Sequence, residues 1–182
     1  RLETVDALPR IVITDTATNE SHEIAFDEEA YSLGIGGGQE YESGRLRFSY
    51  SSPTTPERVF DYDMVVRERE LLKEQEIPSG HDPADYVVRR IQAKAHDGEE
   101  IPVTVLHRAD ARLDGTEPLM LYGYGSYGIS IPASFSPHRF SLVDRGFVYA
   151  IAHIRGGMEK GYRWYLDGKL EKKTNTFRDF IS

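Results

Sequence analysis

The first 78 residues alternate between short apolar stretches and polar turns. Ile11 to Ile13 form an apolar run, and Leu46, Phe48 and Tyr50 alternate with polar residues at the period of a half-buried strand. Breaks rich in glycine, proline or polar residues separate these stretches. Several short strands divided by turns are typical of a sandwich, a barrel or a propeller.

A densely charged segment from Arg67 to Glu76 follows, and it predicts either a solvated edge strand or a short helix. Ile77 to Pro83 then contains two prolines and a glycine, which makes it the best candidate for a domain boundary. We therefore predict one domain at residues 1–78 and a second at residues 79–182.

The second part begins with a predicted hairpin and then changes character. Residues 90–95 and 101–105 alternate like two strands, and Asp97-Gly98 between them is a strong hairpin signal. Leu119 to Tyr122 predicts a buried strand, and Phe147 to Ala152 predicts a parallel strand covered on both faces. Strands alternating with helices indicate an α/β domain.

Helix signals fall between and after these strands. Ser136 is a candidate N-cap, Pro137 fits the first helical position and Gly146 fits a C-terminal stop. A short helix is predicted within residues 161–167. Thr176 and Asp179 have capping-box spacing before a final helix.

Composition narrows the possible functions. The chain has 182 residues and no cysteine, which excludes disulfides, thiolate zinc sites and a cysteine nucleophile in this segment. A net charge of -8 argues against nucleic acid as a partner. The apolar runs are too short to span a bilayer, so no membrane partner is expected. The six histidines show no metal-binding spacing, and we expect no metal.

The stretch with the most chemical information is 119–128, LMLYGYGSYG. Gly123, Gly125 and Gly128 match the G-x-G-x-x-G pattern of dinucleotide sites, and the loop follows a predicted strand. Pro132, however, opposes the helix that should follow at once and bind the pyrophosphate. A nucleotide-binding function therefore stays open as an alternative that the pattern supports weakly.

The same loop also fits an oxyanion-binding role. In α/β-hydrolases, one donor to the oxyanion comes from the loop after an early strand. A tyrosine hydroxyl can serve as such a donor when it is positioned before negative charge develops. Taken alone, a tyrosine such as Tyr124 at a strand end is more often part of a core.

Further motifs accompany the loop in a fixed order along the chain. They are Arg145 to Ala150, His153 to Gly157, Trp164-Tyr165, Asp167 to Lys169, Lys173, Asn175 to Phe177 and Asp179-Phe180. With the tyrosine loop, these motifs resemble the prolyl oligopeptidase family of serine peptidases, and Gly125 to Gly128 looks most like its oligopeptidase B branch. The resemblance covers essentially the whole chain, more strongly from about residue 82 onward.

The resemblance implies a fold and an activity. The expected fold is the C-terminal end of a β-propeller followed by the first part of an α/β-hydrolase domain. The expected parent is a serine oligopeptidase that cleaves short peptides after Lys or Arg, without a cofactor and in the cytoplasm. Cleavage after proline, and a propeller module that only binds, stay open as alternatives.

The resemblance also assigns roles to individual residues. Tyr124 takes the position of the tyrosine that stabilises the oxyanion. Tyr127 and Ser134 are candidate substrate-contacting residues. Some oligopeptidase B members have two aspartates where this chain has Pro132 and Ser134, so a preference for dibasic substrates is not expected.

The remaining catalytic groups are not found in this segment. Ser126 does not lie in a G-x-S-x-G elbow, and no other serine does. In the family the general base lies after the nucleophile, so His153 is not expected to be catalytic. We therefore expect the chain to be an excerpt of a longer polypeptide and to be inactive alone.

Overall fold

The structure is a computed structural model that describes residues 1–38, 40 and 42–182, and its regular secondary structure is mainly β-strand. The strands are β1 (Leu2–Val5), β2 (Leu8–Thr14), β3 (Ser21–Glu23), β4 (Ser32–Ile35), β5 (Arg45–Ser51), β6 (Arg58–Asp63), β7 (Glu68–Glu74), β8 (Tyr86–Lys94), β9 (Glu100–Arg108), β10 (Leu119–Tyr122) and β11 (Val148–Ala152). The α-helices are α1 (Pro137–Val143), α2 (Tyr162–Leu166) and α3 (Lys173–Ile181). Two short 3₁₀ turns cover Pro83–Asp85 and Leu170–Lys172.

The first part contains a four-stranded antiparallel meander in the order β4-β5-β6-β7. The predicted alternation in β5 is confirmed, because Phe48 and Tyr50 point into a core that also contains Ile11 and Tyr62. The charged segment is the edge strand β7, whose residues are all exposed. A four-stranded meander of this kind is the unit from which β-propellers are built.

The second part is built on a mixed sheet in the order β10-β11-β9-β8. The predicted hairpin joins β8 to β9, and Gly98 supplies its left-handed turn residue with a φ of 89°. Strand β11 pairs antiparallel to β9 and parallel to β10. The connection from β10 back to β11 passes through α1, as a parallel crossover requires.

The prediction of a buried strand at 119–122 is half right. Residues Leu119–Tyr122 do form β10, but the strand is the edge of its sheet, and the side chains of Leu119, Met120 and Tyr122 are exposed. By contrast β11 is well covered, and Ala150, Ile151 and Ala152 are buried. An apolar run in the sequence predicts a strand, but it does not show which side of that strand is covered by other residues.

The helix signals were read correctly at α1 and wrongly at α3. Helix α1 starts at Pro137 after Ser136, although the Ser136 side chain makes no capping hydrogen bond. Helix α3 starts at Lys173, so Thr176 and Asp179 lie inside it and are buried. Their spacing, taken as a capping box, instead places two polar side chains on the covered face of the helix.

Polar contacts join the two parts of the chain. The backbone N–H of Ala7 donates to the Glu159 carbonyl at 2.8 Å. The Glu29 carboxylate accepts from the Arg89 guanidinium and from the backbone N–H of Arg90, both at 2.9 Å. These bonds fix the N-terminal strands against the first strand of the mixed sheet and against the segment after β11.

Candidate active-site loop

The tyrosine-bearing loop leaves β10 at Gly123 and is packed tightly on its inner side. A Cβ atom at Gly125 would lie 2.5 Å from the Thr176 side chain and 2.8 Å from the Arg155 carbonyl. Gly125 also has a φ of 63°, which L-residues rarely adopt. A Cβ at Gly123 would be 3.1 Å from the Phe180 ring. The glycines let the loop lie directly on the residues that follow β11 and on α3.

The Tyr124 side chain extends from this packed backbone and is partly exposed to solvent. Its side chain is 41% exposed, although both neighbouring residues are glycines held against the protein. Tyr122 in β10 has a similar exposure of 39%, so what distinguishes Tyr124 is its place between two glycines of the packed loop. The phenol is a neutral donor near pH 7, which suits an oxyanion that forms only during a reaction.

A buried ion pair lies beneath the loop. The Arg155 guanidinium is 3% exposed and donates to Asp179 at 2.6 Å and to Asp97 at 2.6 Å. These carboxylates raise the pKa of Arg155, and the hydrogen bond from Arg155 lowers the pKa of Asp97. The Arg155 guanidinium is fully engaged within the protein, so it anchors structure and is not free to bind a substrate.

Thr176 lies next to this ion pair and also contacts the loop from beneath. Its hydroxyl donates towards the Arg155 carbonyl at 2.7 Å and lies 3.1 Å from the Gly168 carbonyl. The backbone N–H of Gly128 donates to the Gly156 carbonyl at 2.9 Å, which fixes the far end of the loop. The tyrosine loop is thus held against the turn that follows β11 in two ways, by the packing of Gly125 and by the hydrogen bond of Gly128.

Tyr127 and Ser134 lie in separate cavities. Tyr127 is 82% exposed and lines a cavity of about 310 Å³ together with Tyr165, Leu170 and Lys173. Ser134 lines a larger cavity of about 810 Å³, whose other wall belongs to the meander of the first part and includes Glu57, Glu74 and Glu76. The structure therefore does not bring the three candidate residues into one pocket of the described chain.

His153 is buried away from any substrate. Its side chain is 2% exposed, and its Nε2 lies 2.9 Å from the Thr104 hydroxyl. Burial lowers the pKa of His153 to about 4, so the imidazole is neutral at physiological pH. This environment agrees with the expectation that His153 is not the general base.

The sequence analysis did not single out Lys173, Thr176, Asp179 or Glu159 as site residues. Thr176 and Asp179 lie three positions apart in α3, next to Phe180. Two polar residues on the apolar side of a helix were the signal in the sequence that these side chains have buried partners. No group of three His, Cys, Asp or Glu side chains that could hold a metal ion converges anywhere in residues 1–38, 40 and 42–182. No helix in those same ranges has the length and apolar character needed to cross a membrane.

A four-stranded blade joined to a mixed sheet of this order, with a glycine-rich tyrosine loop after the edge strand, defines a class of protein. The class is an α/β-hydrolase that follows a β-propeller. Comparison with known proteins identifies the family within this class.

Two family models match the chain. One is described as the prolyl oligopeptidase N-terminal beta-propeller domain and matches residues 2–75, and the other as the prolyl oligopeptidase family and matches residues 133–182. The chain belongs to the prolyl oligopeptidase family. The expected fold, the end of a propeller followed by the start of an α/β-hydrolase domain, is confirmed.

Individual relatives support this assignment. The chain is 48% identical over 166 residues to dipeptidyl aminopeptidase BI of Pseudoxanthomonas mexicana, which covers 91% of the chain and 23% of that protein. It is 34% identical over 163 residues to protease 2 of Moraxella lacunata, covering 90% of the chain and 24% of that protein. The structure of oligopeptidase B from Leishmania major superposes with a TM-score of 0.86 at 38% identity, covering 96% of the chain and 26% of that structure. The chain thus spans about a quarter of the length of these relatives.

Proposed function

We propose that this chain is part of a serine oligopeptidase that hydrolyses short peptides after Lys or Arg through an acyl-enzyme. The observation that carries the proposal is the position of Tyr124 between two glycines, on a loop whose backbone is packed and hydrogen-bonded just after β10. Membership in a peptidase family and similarity to protease 2 and oligopeptidase B support the reaction class.

In the proposed reaction, a serine outside this chain attacks the substrate carbonyl. A histidine takes the serine proton and returns it to the leaving amine, and an aspartate orients the histidine. Tyr124 donates a hydrogen bond to the oxyanion of the tetrahedral intermediate. Tyr127 and Ser134 are proposed to contact the peptide, Tyr127 from the tyrosine loop itself and Ser134 from the cavity that the blade also lines. The triad itself comes from the rest of the protein, and the chain alone is expected to be inactive.

Substitution of Tyr124 tests the proposal. Tyr124→Phe in the full-length protein removes the hydroxyl and little volume. We expect kcat to fall about 10- to 1000-fold with a much smaller change in KM, because the lost bond exists only in the transition state. Steady-state kinetics on a fluorogenic peptide with arginine before the scissile bond would measure both constants.

Tyr122→Phe is the matched control for this experiment. Tyr122 lies in β10, two residues before Tyr124, and is exposed to a similar extent, 39% against 41%. We expect its kcat to stay within about twofold of the wild type, since no transition-state bond is removed. An unchanged kcat in Tyr124→Phe, or an effect confined to KM, would show that Tyr124 is not the oxyanion donor.

A second activity is favoured by the 48% identity to dipeptidyl aminopeptidase BI. If the protein released dipeptides from free N-termini, blocking the N-terminus of a short substrate would abolish cleavage, because a buried polar site rejects a ligand that cannot pair with it. The oligopeptidase proposal expects acetylated and free peptides to be cleaved at similar rates. Comparing the two substrates by mass spectrometry separates the activities.

A further inference from the structure

The loop that carries Tyr124 has a third attachment, beyond its two ties to the turn after β11. Lys173, the first residue of α3, donates from Nζ to the Gly125 carbonyl and to the Ser126 hydroxyl oxygen, the latter at 2.7 Å. These two acceptors belong to the residues that follow Tyr124 directly. The Gly125 carbonyl also faces Gly156, so the lysine binds the loop on the side that packs against the turn after β11.

Lys173 differs from an ordinary surface lysine. Its neighbour Lys172 is exposed and pairs with the Asp167 carboxylate at 2.6 Å. Lys173 has no carboxylate within ion-pair distance among residues 1–38, 40 and 42–182; its hydrogen bonds go to loop atoms, and its Nζ lies 5.9 Å from the centre of the Phe177 ring. Partial burial lowers the pKa of Lys173, which is the effect of removing water from an ammonium group. A partly buried lysine whose hydrogen bonds all go to one loop is placed to order that loop.

The short contact between Lys173 and Ser126 also resembles the contact between a nucleophilic serine and its general base. A general base needs a free lone pair to accept the serine proton, whereas the Lys173 ammonium has donors only, and both of its bonds run from Nζ to an oxygen. Lys173 donating to two oxygens at once is the arrangement of a clamp. Ser126 is accordingly a point of attachment for the loop.

We propose that Lys173 is a positioning residue that clamps the backbone after Tyr124 and thereby fixes the Tyr124 hydroxyl for oxyanion binding. The inference rests on the proposed function, because it assigns Lys173 an effect that is exerted through Tyr124. Oxyanion donors are effective only when they are held in place before charge develops, and a misplacement of about 1 Å can cost a hundredfold in rate.

A double-mutant cycle in the full-length protein tests this. Lys173→Met keeps an unbranched side chain and removes the Nζ hydrogen-bond donor. We expect kcat to fall about tenfold, with KM changed less than about threefold. In the Tyr124→Phe background, the same substitution should change kcat less than about twofold, because residues that act as a unit are not additive. Lys173→Arg should recover most of the lost activity, since the guanidinium can donate to both oxygens.

Lys172→Met is the control, because it removes a neighbouring lysine that contacts Asp167 and not the loop. It should leave kcat unchanged. Equal effects of Lys173→Met in the two backgrounds would overturn the inference and leave the role of Tyr124 intact. No loss of kcat in Tyr124→Phe itself would contradict the proposed function, and the inference would fall with it.

A second cycle covers the case in which Lys173→Met does not fold, as judged by circular dichroism. Ser126→Ala removes one of the two acceptors and leaves the lysine and the backbone in place. We expect kcat to fall about two- to fivefold, and this loss should vanish in the Tyr124→Phe background. An unchanged kcat, or a loss that persists without the tyrosine hydroxyl, would refute the clamp.

Discussion

Two buried titratable side chains, His153 and Glu159, lie next to each other without sharing a hydrogen bond. His153 Nδ1 is 4.0 Å from Glu159 Oε1, and Glu159 Oε1 accepts from the backbone N–H of Ile131 at 3.2 Å. Burial raises the pKa of Glu159 to about 7, whereas burial lowers the pKa of His153 to about 4. At neutral pH the pair therefore contains an uncharged imidazole and a carboxyl close to half protonation.

This arrangement predicts how stability depends on pH. The folded pKa of Glu159 is raised above its unfolded value, so its contribution is fully present below about pH 4.5 and is lost as pH rises through about 7. Glu159→Gln removes that titration. We expect the variant to gain about 3 kcal/mol over the wild type between pH 4.5 and pH 8, at 1.36 kcal/mol per pKa unit.

Urea denaturation of both full-length proteins at several pH values would measure the difference. The opposite shift of His153 cancels in this comparison, because the imidazole is present in both proteins. A difference in unfolding free energy that stays flat across this range would show that the folded pKa of Glu159 is not raised above its unfolded value.

Single residues were predictable where their neighbours in sequence define their environment. The glycines around Tyr124 marked the loop as a possible site, but the role of the tyrosine came from the family resemblance and stays a prediction. Lys173 and Asp179 were not selected, because their partners Gly125 and Arg155 lie 48 and 24 positions away. A contact between distant segments is set by the packing of α3 on the sheet, which no local pattern contains.

At the scale of elements, the sequence located β2, β5, the hairpin of β8 and β9, the strands β10 and β11, and the start of α1. It misjudged the burial of β10 and the start of α3. In both cases the error concerns which face of an element is covered. Helix α3 shows why this matters, since its polar residues Thr176 and Asp179 face inward and hold the turn under the tyrosine loop.

The inward-facing carboxylate of α3 should contribute strongly to stability. Asp179→Asn leaves the buried Arg155 with one carboxylate partner in place of two. We expect a loss of about 3–5 kcal/mol in unfolding free energy, the range for breaking a buried ion pair. Asp110→Asn is the control, because Asp110 pairs with Arg108 at the exposed surface, where such pairs contribute about 0–1 kcal/mol.

Chemical denaturation of the full-length protein would compare the two variants. Similar small losses in both would indicate that Arg155 finds other partners when Asp179 is neutral. The ion pair would then contribute little to holding α3 against the turn after β11.

At the scale of the molecule, the groove that contains Ser134 joins both parts of the chain. The backbone N–H of Phe135 donates to the Ser51 hydroxyl at 2.8 Å, so the segment after the tyrosine loop is tied directly to the blade. The domain boundary near residue 78 stays a prediction, as does the role of Ser134. The structure adds that the segment after the tyrosine loop and the four-stranded blade line the same cavity.

This geometry bears on substrate preference. Pro132 and Ser134 offer no carboxylate to a second basic residue of a peptide, so we expect dibasic substrates of the full-length protein to gain less than about tenfold in kcat/KM over monobasic ones. A gain of a hundredfold, about 2.7 kcal/mol, would require a carboxylate from elsewhere. Kinetics on peptide pairs that differ only in the residue before the cleaved arginine would measure the ratio.

The structure also says where such a carboxylate would come from. Glu57 and Glu76 line the cavity opposite Ser134, whereas Glu74 is already paired with Arg58 at 2.6 Å. If a large dibasic gain appeared, Glu57→Gln and Glu76→Gln should each reduce it, and Glu74→Gln should do so less. A gain that survived all three substitutions would place the second subsite outside this groove, and Ser134 would then have no part in substrate selection.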